Sequence, residues 1–173
     1  MTGPTGINNV GQIVGFYDDQ SGARHGFLYD RGAFTSFDFP GSQMTAPADI
    51  NDRGQIVGVY ADADNIGLIH SFVLDDGRFT PFDVPFPNVI FTDSRGIDNR
   101  GQIVGRYLVR NPDPSDIDNP VLNHGFIATP ETEPKSKSPL LVTKPNDFSH
   151  SPRWPQDVDQ FKEGSAKWAR QLH

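Results

Sequence analysis

The chain has 173 residues, no cysteine, 13 phenylalanines and a formal net charge of −7 at pH 7. This acidic composition argues against nucleic-acid binding, because phosphate recognition needs clustered Lys and Arg, which the sequence lacks. The absence of cysteine excludes disulfides and zinc–thiolate sites. No run of about 18 apolar residues is present, so no membrane-spanning helix is predicted. The amino terminus does not resemble a secretion signal, so the sequence as written predicts a cytoplasmic protein.

One motif, Gly/Asp-Ile-Asn/Asp-x-x-Gly-Gln-Ile-Val-Gly-x-Tyr, occurs three times and recurs after 43 and then 47 residues. Each copy is followed by a His-x-Phe sequence. Self-similarity at this period is the signature of a repeat architecture. The three copies of the motif are residues 6–17, 49–60 and 96–107, and the three His-x-Phe sequences begin at His25, His70 and His124.

Within a repeat, the Asn-x-x-Gly segment predicts a turn between a short strand and the strand Gln-Ile-Val-Gly-x-Tyr, whose Gly would allow close approach of a neighbouring sheet. His-x-Phe predicts a third strand, and residues 34–40 and 79–85 a fourth strand after a tight turn. The third copy lacks this last segment, and residues 139–145 are its predicted replacement. We therefore predict an all-β protein with twelve short strands, four in each repeat.

The predicted organisation is a three-repeat β domain over residues 1–129, with repeats at 6–45, 46–92 and 93–129. A Pro-, Ser- and Lys-rich linker follows at 130–152 and contains the candidate last strand at 139–145. Residues 153–173 predict a C-terminal amphipathic helix, since Val158, Phe161 and Trp168 follow at helical spacing. This helix would cap an exposed sheet or form a dimer seam, or the tail is foreign to the repeats.

The motif, with its downstream His-x-Phe, resembles the HAF-repeat family, described as extracellular repeats, over residues 6 to about 128. The resemblance implies the blades of a β-propeller and carries no established activity. Propellers use about four to eight blades, so three repeats would leave two open faces. Two chains could close a six-bladed ring as a homo-oligomer. A closed three-fold fold, a β-trefoil or β-prism, is the alternative.

Two sets of oxygen-bearing side chains are candidate calcium ligands, because calcium takes six to eight oxygen ligands. In a propeller, the turns after the innermost strands would surround one mouth of the channel. The alternatives are Asx-turns that close hairpins and a solvated acidic loop. The first set is Asp49, Asn51, Asp93, Asp98 and Asn99, and the second is the loop pair Asp62 and Asp64.

The recurring histidines are the candidate catalytic groups, because their equivalent places would bring them to one radius of a symmetric fold. We assign His70 or His124 as a general base. The alternative interpretation is a hydrogen-bonded residue between neighbouring blades, which every repeat would need whatever its chemistry.

Some propeller hydrolases, the lactonases among them, hold a calcium ion in the channel, and by this analogy we predict a calcium-dependent hydrolase of a small lactone or ester. An acyl-homoserine-lactone-type signal is one candidate substrate, by analogy of fold only. The ion would polarise the carbonyl and position water, because the sequence lacks the motifs of a serine or cysteine nucleophile. The alternative is a non-catalytic interaction module that binds a partner through its variable loops. These loops are residues 18–24, 62–69 and 108–123.

Overall fold

The computed structural model describes residues 1–63, 67–113, 115, 120–130 and 140–143. These residues form twelve β-strands and contain no helix, which confirms the all-β class. None of them belongs to a helix with the length and apolarity needed to cross a membrane. The predicted C-terminal helix at 153–173 lies outside the described residues. The strands are β1 (Thr2–Ile7), β2 (Ile13–Asp18), β3 (Arg24–Asp30), β4 (Ala33–Phe37), β5 (Ser42–Ile50), β6 (Ile56–Asp62), β7 (Ile69–Asp75), β8 (Arg78–Phe82), β9 (Val89–Ile97), β10 (Ile103–Arg110), β11 (Val121–Pro130) and β12 (Leu140–Thr143).

The strands form one open mixed sheet that does not close into a barrel, in the order β1-β2-β3-β5-β6-β7-β9-β10-β11-β12. β4 pairs with β3, and β8 pairs with β7. Within each group of four consecutive strands all pairs are antiparallel, whereas single parallel pairs join the groups. These junctions are Arg24 with Met44 and Ile69 with Phe91. Each repeat is therefore a four-stranded antiparallel meander, and β12 lies inside the segment 139–145.

The turn after the first strand of each repeat has the same geometry. Gly11, Gly54 and Gly101 have φ of 86°, 79° and 84°, the left-handed region that favours glycine. The N–H of each glycine donates to the carbonyl three residues earlier, at 3.0–3.2 Å. A three-residue hairpin loop of this kind explains the invariant spacing between Asn or Asp and Gly in the motif.

The first strand of each repeat carries a one-residue bulge at the same motif position. The unpaired residues are Thr5, Ala48 and Arg95, next to the pairs that β1, β5 and β9 form with their second strands. A bulge bends its strand and increases the local twist. At the bulge of the first repeat, the Thr5 hydroxyl donates to the Pro47 carbonyl at 2.9 Å, and this hydrogen bond joins the first repeat to the second.

The glycine in the middle of the second strand and the phenylalanine of His-x-Phe form a cross-strand pair in every repeat. The pairs are Gly15–Phe27, Gly58–Phe72 and Gly105–Phe126. A Cβ added to Gly58 would lie 2.9 Å from Cζ of Phe72 and would collide with the Ala46 carbonyl oxygen. The close approach predicted for this glycine therefore comes from both adjacent strands, from the backbone of β5 at Ala46 and Pro47 and from the Phe72 ring of β7, which covers the glycine.

Two apolar clusters hold the repeats together, one at each junction. Each cluster joins one face of a repeat, here called the trailing face, to the opposite or leading face of the next repeat. Val14 and Val57 are buried on trailing faces, and Ile50 and Ile97 on leading faces. The buried residues of the first cluster are Val14, Ile50, Ile56, Tyr60 and Phe72; those of the second are Val57, Phe82, Val84, Ile97, Ile103, Tyr107, Phe126 and Ala128.

Replacing Gly58 with Ala should lower the free energy of unfolding by about 3 kcal/mol, because the added methyl group has no space beside Phe72. Urea denaturation measures the loss. Gly96→Ala is the matched control, since the nearest atom to its Cβ would be a Val104 methyl carbon at 3.3 Å, and should cost less than about 1 kcal/mol. Equal midpoints for Gly58→Ala and the unaltered protein would contradict this explanation.

Candidate functional site

The three Asn-x-x-Gly turns lie side by side and are hydrogen-bonded in a row. Asn8 Nδ2 donates to the Asn51 carbonyl at 3.0 Å, and Asn51 Nδ2 donates to the Asp98 carbonyl at 3.0 Å. The Asn51 Oδ1 accepts the N–H groups of Arg53 and Gln55. The structure thus brings two predicted ligands, Asn51 and Asp98, to one end of the repeats, but uses Asn51 to connect neighbouring turns.

A second polar row lies beside the first, at the next motif position. The Asp52 carboxylate accepts the N–H and the side-chain amide of Asn9 at 2.8 and 2.9 Å, and the amide of Asn99 at 2.7 Å. The Asp52 N–H donates to Asn99 Oδ1 at 2.8 Å. Hydrogen bonds from Asn9, and then from Asn99, lower the pKa of Asp52. Sequence reasoning identified Asn99 but missed Asn9 and Asp52, although the alternation of amide, carboxylate and amide at one position was visible.

Asp49 lies between the first strands of the outer repeats. Its Oδ2 accepts the Ile97 N–H at 3.0 Å, and its Oδ1 would lie 2.9 Å from a Cβ added to Gly6. Gly6 and Gly96 occupy the positions in their repeats that Asp49 occupies in the middle one. The single carboxylate therefore takes the space that a side chain at Gly6 would need.

Two of the remaining predicted ligands, Asp93 and Asp98, are also engaged with donors. Buried Asp93 binds Arg95 and Arg106 through Oδ2, at 2.6–2.9 Å, and Asp98 Oδ1 accepts two backbone N–H groups of its own turn at 2.8 Å. Asp62 is exposed, and Asp64 lies outside the described residues. Within the described residues, no three His, Asp or Glu side chains are grouped so that they could hold a metal ion. The calcium site stays a prediction.

Two of the three histidines form equivalent Asp–His–Asp clusters. His25 Nδ1 donates to Asp38 at 2.9 Å and its Nε2 is 3.5 Å from Asp19. His70 has Asp83 at 2.6 Å and Asp62 at 4.0 Å in the same places. Each imidazole also stacks on the cross-strand tyrosine of its repeat, with centroids 5.0 and 5.3 Å apart. The histidines are therefore hydrogen-bonded, but within their own repeat and not between repeats.

His124 keeps the stacking, but no described carboxylate takes the places that Asp38 and Asp19 have around His25. Its ring lies 5.1 Å from that of Tyr107. The third repeat has no Phe-Asp segment to supply a counterpart of Asp38, and Val109 stands where the other repeats have Asp19 and Asp62. The predicted general bases, His70 and His124, therefore have different surroundings.

The charges around His25 favour its protonated form. The hydrogen bond to Asp38 raises the pKa of His25, burial opposes this, and Asp19 adds a smaller increase. The pKa of Asp19 is lowered to about 2, chiefly by the Ser21 hydroxyl. Burial, with the nearby charges of Asp83 and Asp62, raises the pKa of Tyr60 to about 12. The carboxylates around His25 thus favour its imidazolium form, as in a surface ion pair.

An aromatic hollow opens on the leading face of the first repeat. It has a volume of about 390 Å³ and is lined by Thr2, Tyr17, Phe27, Phe34 and Ser36. Phe34 is 72% exposed. This surface was not predicted from the sequence.

The corresponding hollow of the second repeat is filled. Its aromatic residues are Tyr60, Phe72 and Phe79, and they surround Phe39 of the first repeat. The Phe39 ring stacks on Tyr60 with centroids 3.6 Å apart and meets Phe79 edge-on at 5.3 Å. The hollow of the first repeat is therefore the same aromatic socket without an inserted ring from a preceding repeat.

Comparison of the chain with known proteins adds no assignment to this geometry. No protein-family model, curated protein or solved structure matches the chain. The resemblance to the HAF-repeat family stays a prediction from the motif.

Replacing Asn51 with Ala should lower the free energy of unfolding by about 2 kcal/mol, because it leaves buried N–H and carbonyl groups without partners. Asn51→Asp keeps the acceptor of the turn and loses only the donor to Asp98, so its loss should be smaller. Asn99→Ala, at an exposed position, is the control. Urea denaturation of the three variants checks the order, and an unchanged Asn51→Ala variant would contradict a structural role.

Replacing Asp38 with Asn should lower the pKa of His25 towards its ordinary value of 6.5, because the largest cause of its increase is removed. Asp19→Asn should lower it less. Proton NMR titration of the imidazole measures both. Since the pKa of His25 is raised in the folded protein, its contribution to stability is complete below pH 6.5 and declines as pH rises through the folded pKa. An unchanged His25 titration in Asp38→Asn would refute the assigned cause.

Proposed function

We propose that this chain is a non-catalytic interaction module of β-propeller type, which binds protein through the leading face of its first repeat. The observation that carries the proposal is the aromatic socket formed by Tyr17, Phe27 and Phe34. It is open in the first repeat, whereas its counterpart in the second repeat holds the ring of Phe39. A concave hollow lined mainly by aromatic side chains is a form that binding sites commonly take.

The propeller assignment is supported by the form and packing of the repeats. Each repeat is a four-stranded antiparallel meander, the form of a propeller blade. The first strand of the middle repeat, β5, contacts the first strands of both neighbours, β1 and β9, but β1 and β9 make no contact of comparable extent with each other. An open array of this kind favours consecutive blades over the β-trefoil or β-prism, which would close on three repeats.

The use of the polar motif residues favours binding over catalysis. Asn51, Asp49 and Asn99 bond neighbouring repeats to each other, and Asp93 neutralises two arginines. Their lone pairs are thus largely occupied by donors of the fold. No observation on the described residues tests the calcium-dependent hydrolase, which stays a prediction. A rise in melting temperature on adding calcium would favour it.

The filled socket indicates what chemistry the open one would accept. Phe39 is the first residue of a turn through Pro40 and Gly41, closed by the Ser42 N–H, which donates to the Phe39 carbonyl at 3.1 Å. Its ring is held by stacking and edge-on contacts with three aromatic rings. Aromatic pairs contribute about 0.5–1.5 kcal/mol beyond the area that they bury. The expected ligand is therefore a peptide segment that inserts one aromatic side chain at the start of a turn, and the binding surface is this face, not the variable loops.

A peptide with the sequence of residues 36–41 is the direct probe, because it carries the ring that fills the second socket. It should shift the NMR signals of Tyr17 and Phe34 saturably, with a Kd of about 1 mM. The same peptide with Phe39→Ala is the matched control and should not bind.

On the protein side, Phe34→Ala should weaken binding about tenfold, because it removes the edge contact that Phe79 provides in the filled socket. Phe34 is exposed, so the substitution should leave the fold intact. Equal shifts with both peptides, or no shift with either, would rule out the socket as the binding site.

A further inference from the structure

Equivalent residues of the leading faces differ in their exposure. Ile7, Ile50 and Ile97 occupy one motif position, directly before the turn. Ile50 is 3% exposed and Ile97 is buried, because each packs against the preceding repeat. Ile7 is 66% exposed. The leading face of the first repeat therefore presents to solvent an apolar residue that the other two repeats bury.

The trailing faces show the converse difference. Val14, Val57 and Val104 also share one motif position, and the first two are fully buried against the following repeat. Val104 of the third repeat is 45% exposed. The two ends of the array thus leave opposite faces uncovered.

These two faces are the halves of an interface that the chain already makes twice. Val14 lies in one cluster with Ile50, and Val57 in one cluster with Ile97. By the same geometry, the partner of Ile7 is a residue in the place of Val104. Val84 stands at the position of Phe39 in the second junction, so the interface does not require an aromatic residue there.

We propose that the leading face of the first repeat binds the trailing face of the third repeat in a second copy of this chain. The proposal rests on the function proposed above, because it uses the same face. The third repeat has no counterpart of Phe39, so the apolar contact of Ile7 with Val104, and not an inserted ring, would join the two copies. The interface is head-to-tail, so it must close by rotation or continue into a filament. Two copies would supply six repeats, within the range of about four to eight that closed propellers use.

The polar rows make this junction weaker than the junctions inside the chain. Asp98 has no amide to donate, so it cannot make the bond that Asn8 and Asn51 make to the next turn. Asn99 would meet Asn9 of the second copy, whereas inside the chain both bind the Asp52 carboxylate. Association should therefore depend on protein concentration, and the chain should fold before it associates.

Sedimentation or light scattering of the full chain between about 1 μM and about 1 mM tests the proposal. The unaltered protein should form dimers, and Ile7→Lys and Val104→Glu should each weaken association by about 100-fold, because each buries an unpaired charge. Val10→Arg is the control: Val10 is equally exposed, but lies in a turn where the other repeats have Arg53 and Arg100.

Mixing the two charged variants gives the decisive result. A dimer of one Ile7→Lys chain with one Val104→Glu chain has one unaltered junction and one junction with opposite charges, so mixing should restore association. A self-complementary interface, in which Ile7 faces Ile7, cannot be restored in this way. Circular dichroism of each variant confirms that it is folded.

Four results would overturn the proposal: monomers throughout the range, dimers that persist in Ile7→Lys, dimers that persist in Val104→Glu, or no restoration on mixing. Monomers whose tryptophan emission shifts in Ile7→Lys or Val104→Glu would assign the face to residues 144–173, which hold both tryptophans.

The two proposals fail separately. If peptide 36–41 binds but the chain does not associate, only the proposal that a second copy is the partner is refuted. If the chain associates but the Val104→Glu monomer does not bind the peptide, only the proposal that the aromatic socket binds a peptide is refuted.

Discussion

The apolar contact between the trailing face of one repeat and the leading face of the next is the interaction on which the structure depends. A single four-stranded meander has two faces and no partner for either. The packing of Val14 with Ile50, and of Val57 with Ile97, gives a face of one repeat a partner in the next repeat. Full burial of such a side chain contributes about 1.5–3 kcal/mol. The alignment of the turns, their hydrogen-bonded row and the filled socket of Phe39 all follow from this packing.

The polar residues of the motif serve that packing. Asn8 and Asn51 connect the turns, Asp52 joins two asparagines, and Asp49 reaches the backbone of the third repeat. Each of these groups is a residue type that is common in metal sites and hydrolases. Their surroundings decide their role, because an oxygen that already accepts backbone N–H groups has less capacity left for an ion.

The sequence predicted the local features well, because these depend on residues close together in the chain. Gly54 has the positive φ that its turn requires, and β12 forms within the segment 139–145. Contacts between repeats were harder to predict. His25 is hydrogen-bonded to Asp38, thirteen residues later and directly after β4 of its own repeat, not to a residue of a neighbouring repeat. The exposure of Ile7 could not be predicted from the sequence, because Ile7 and Ile50 occupy the same motif position and only their packing differs.

A chain of near-identical repeats can misfold, because the trailing face of one repeat could pack against the leading face of the wrong repeat and leave out the repeat between them. The polar differences between repeats oppose this error. If the first repeat packed directly on the third, Asn9 would meet Asn99 without the Asp52 carboxylate, and Gly6 would meet Gly96 without Asp49. Asp49 and Asp52 of the middle repeat thus favour the correct order of the repeats, while the apolar faces provide the affinity.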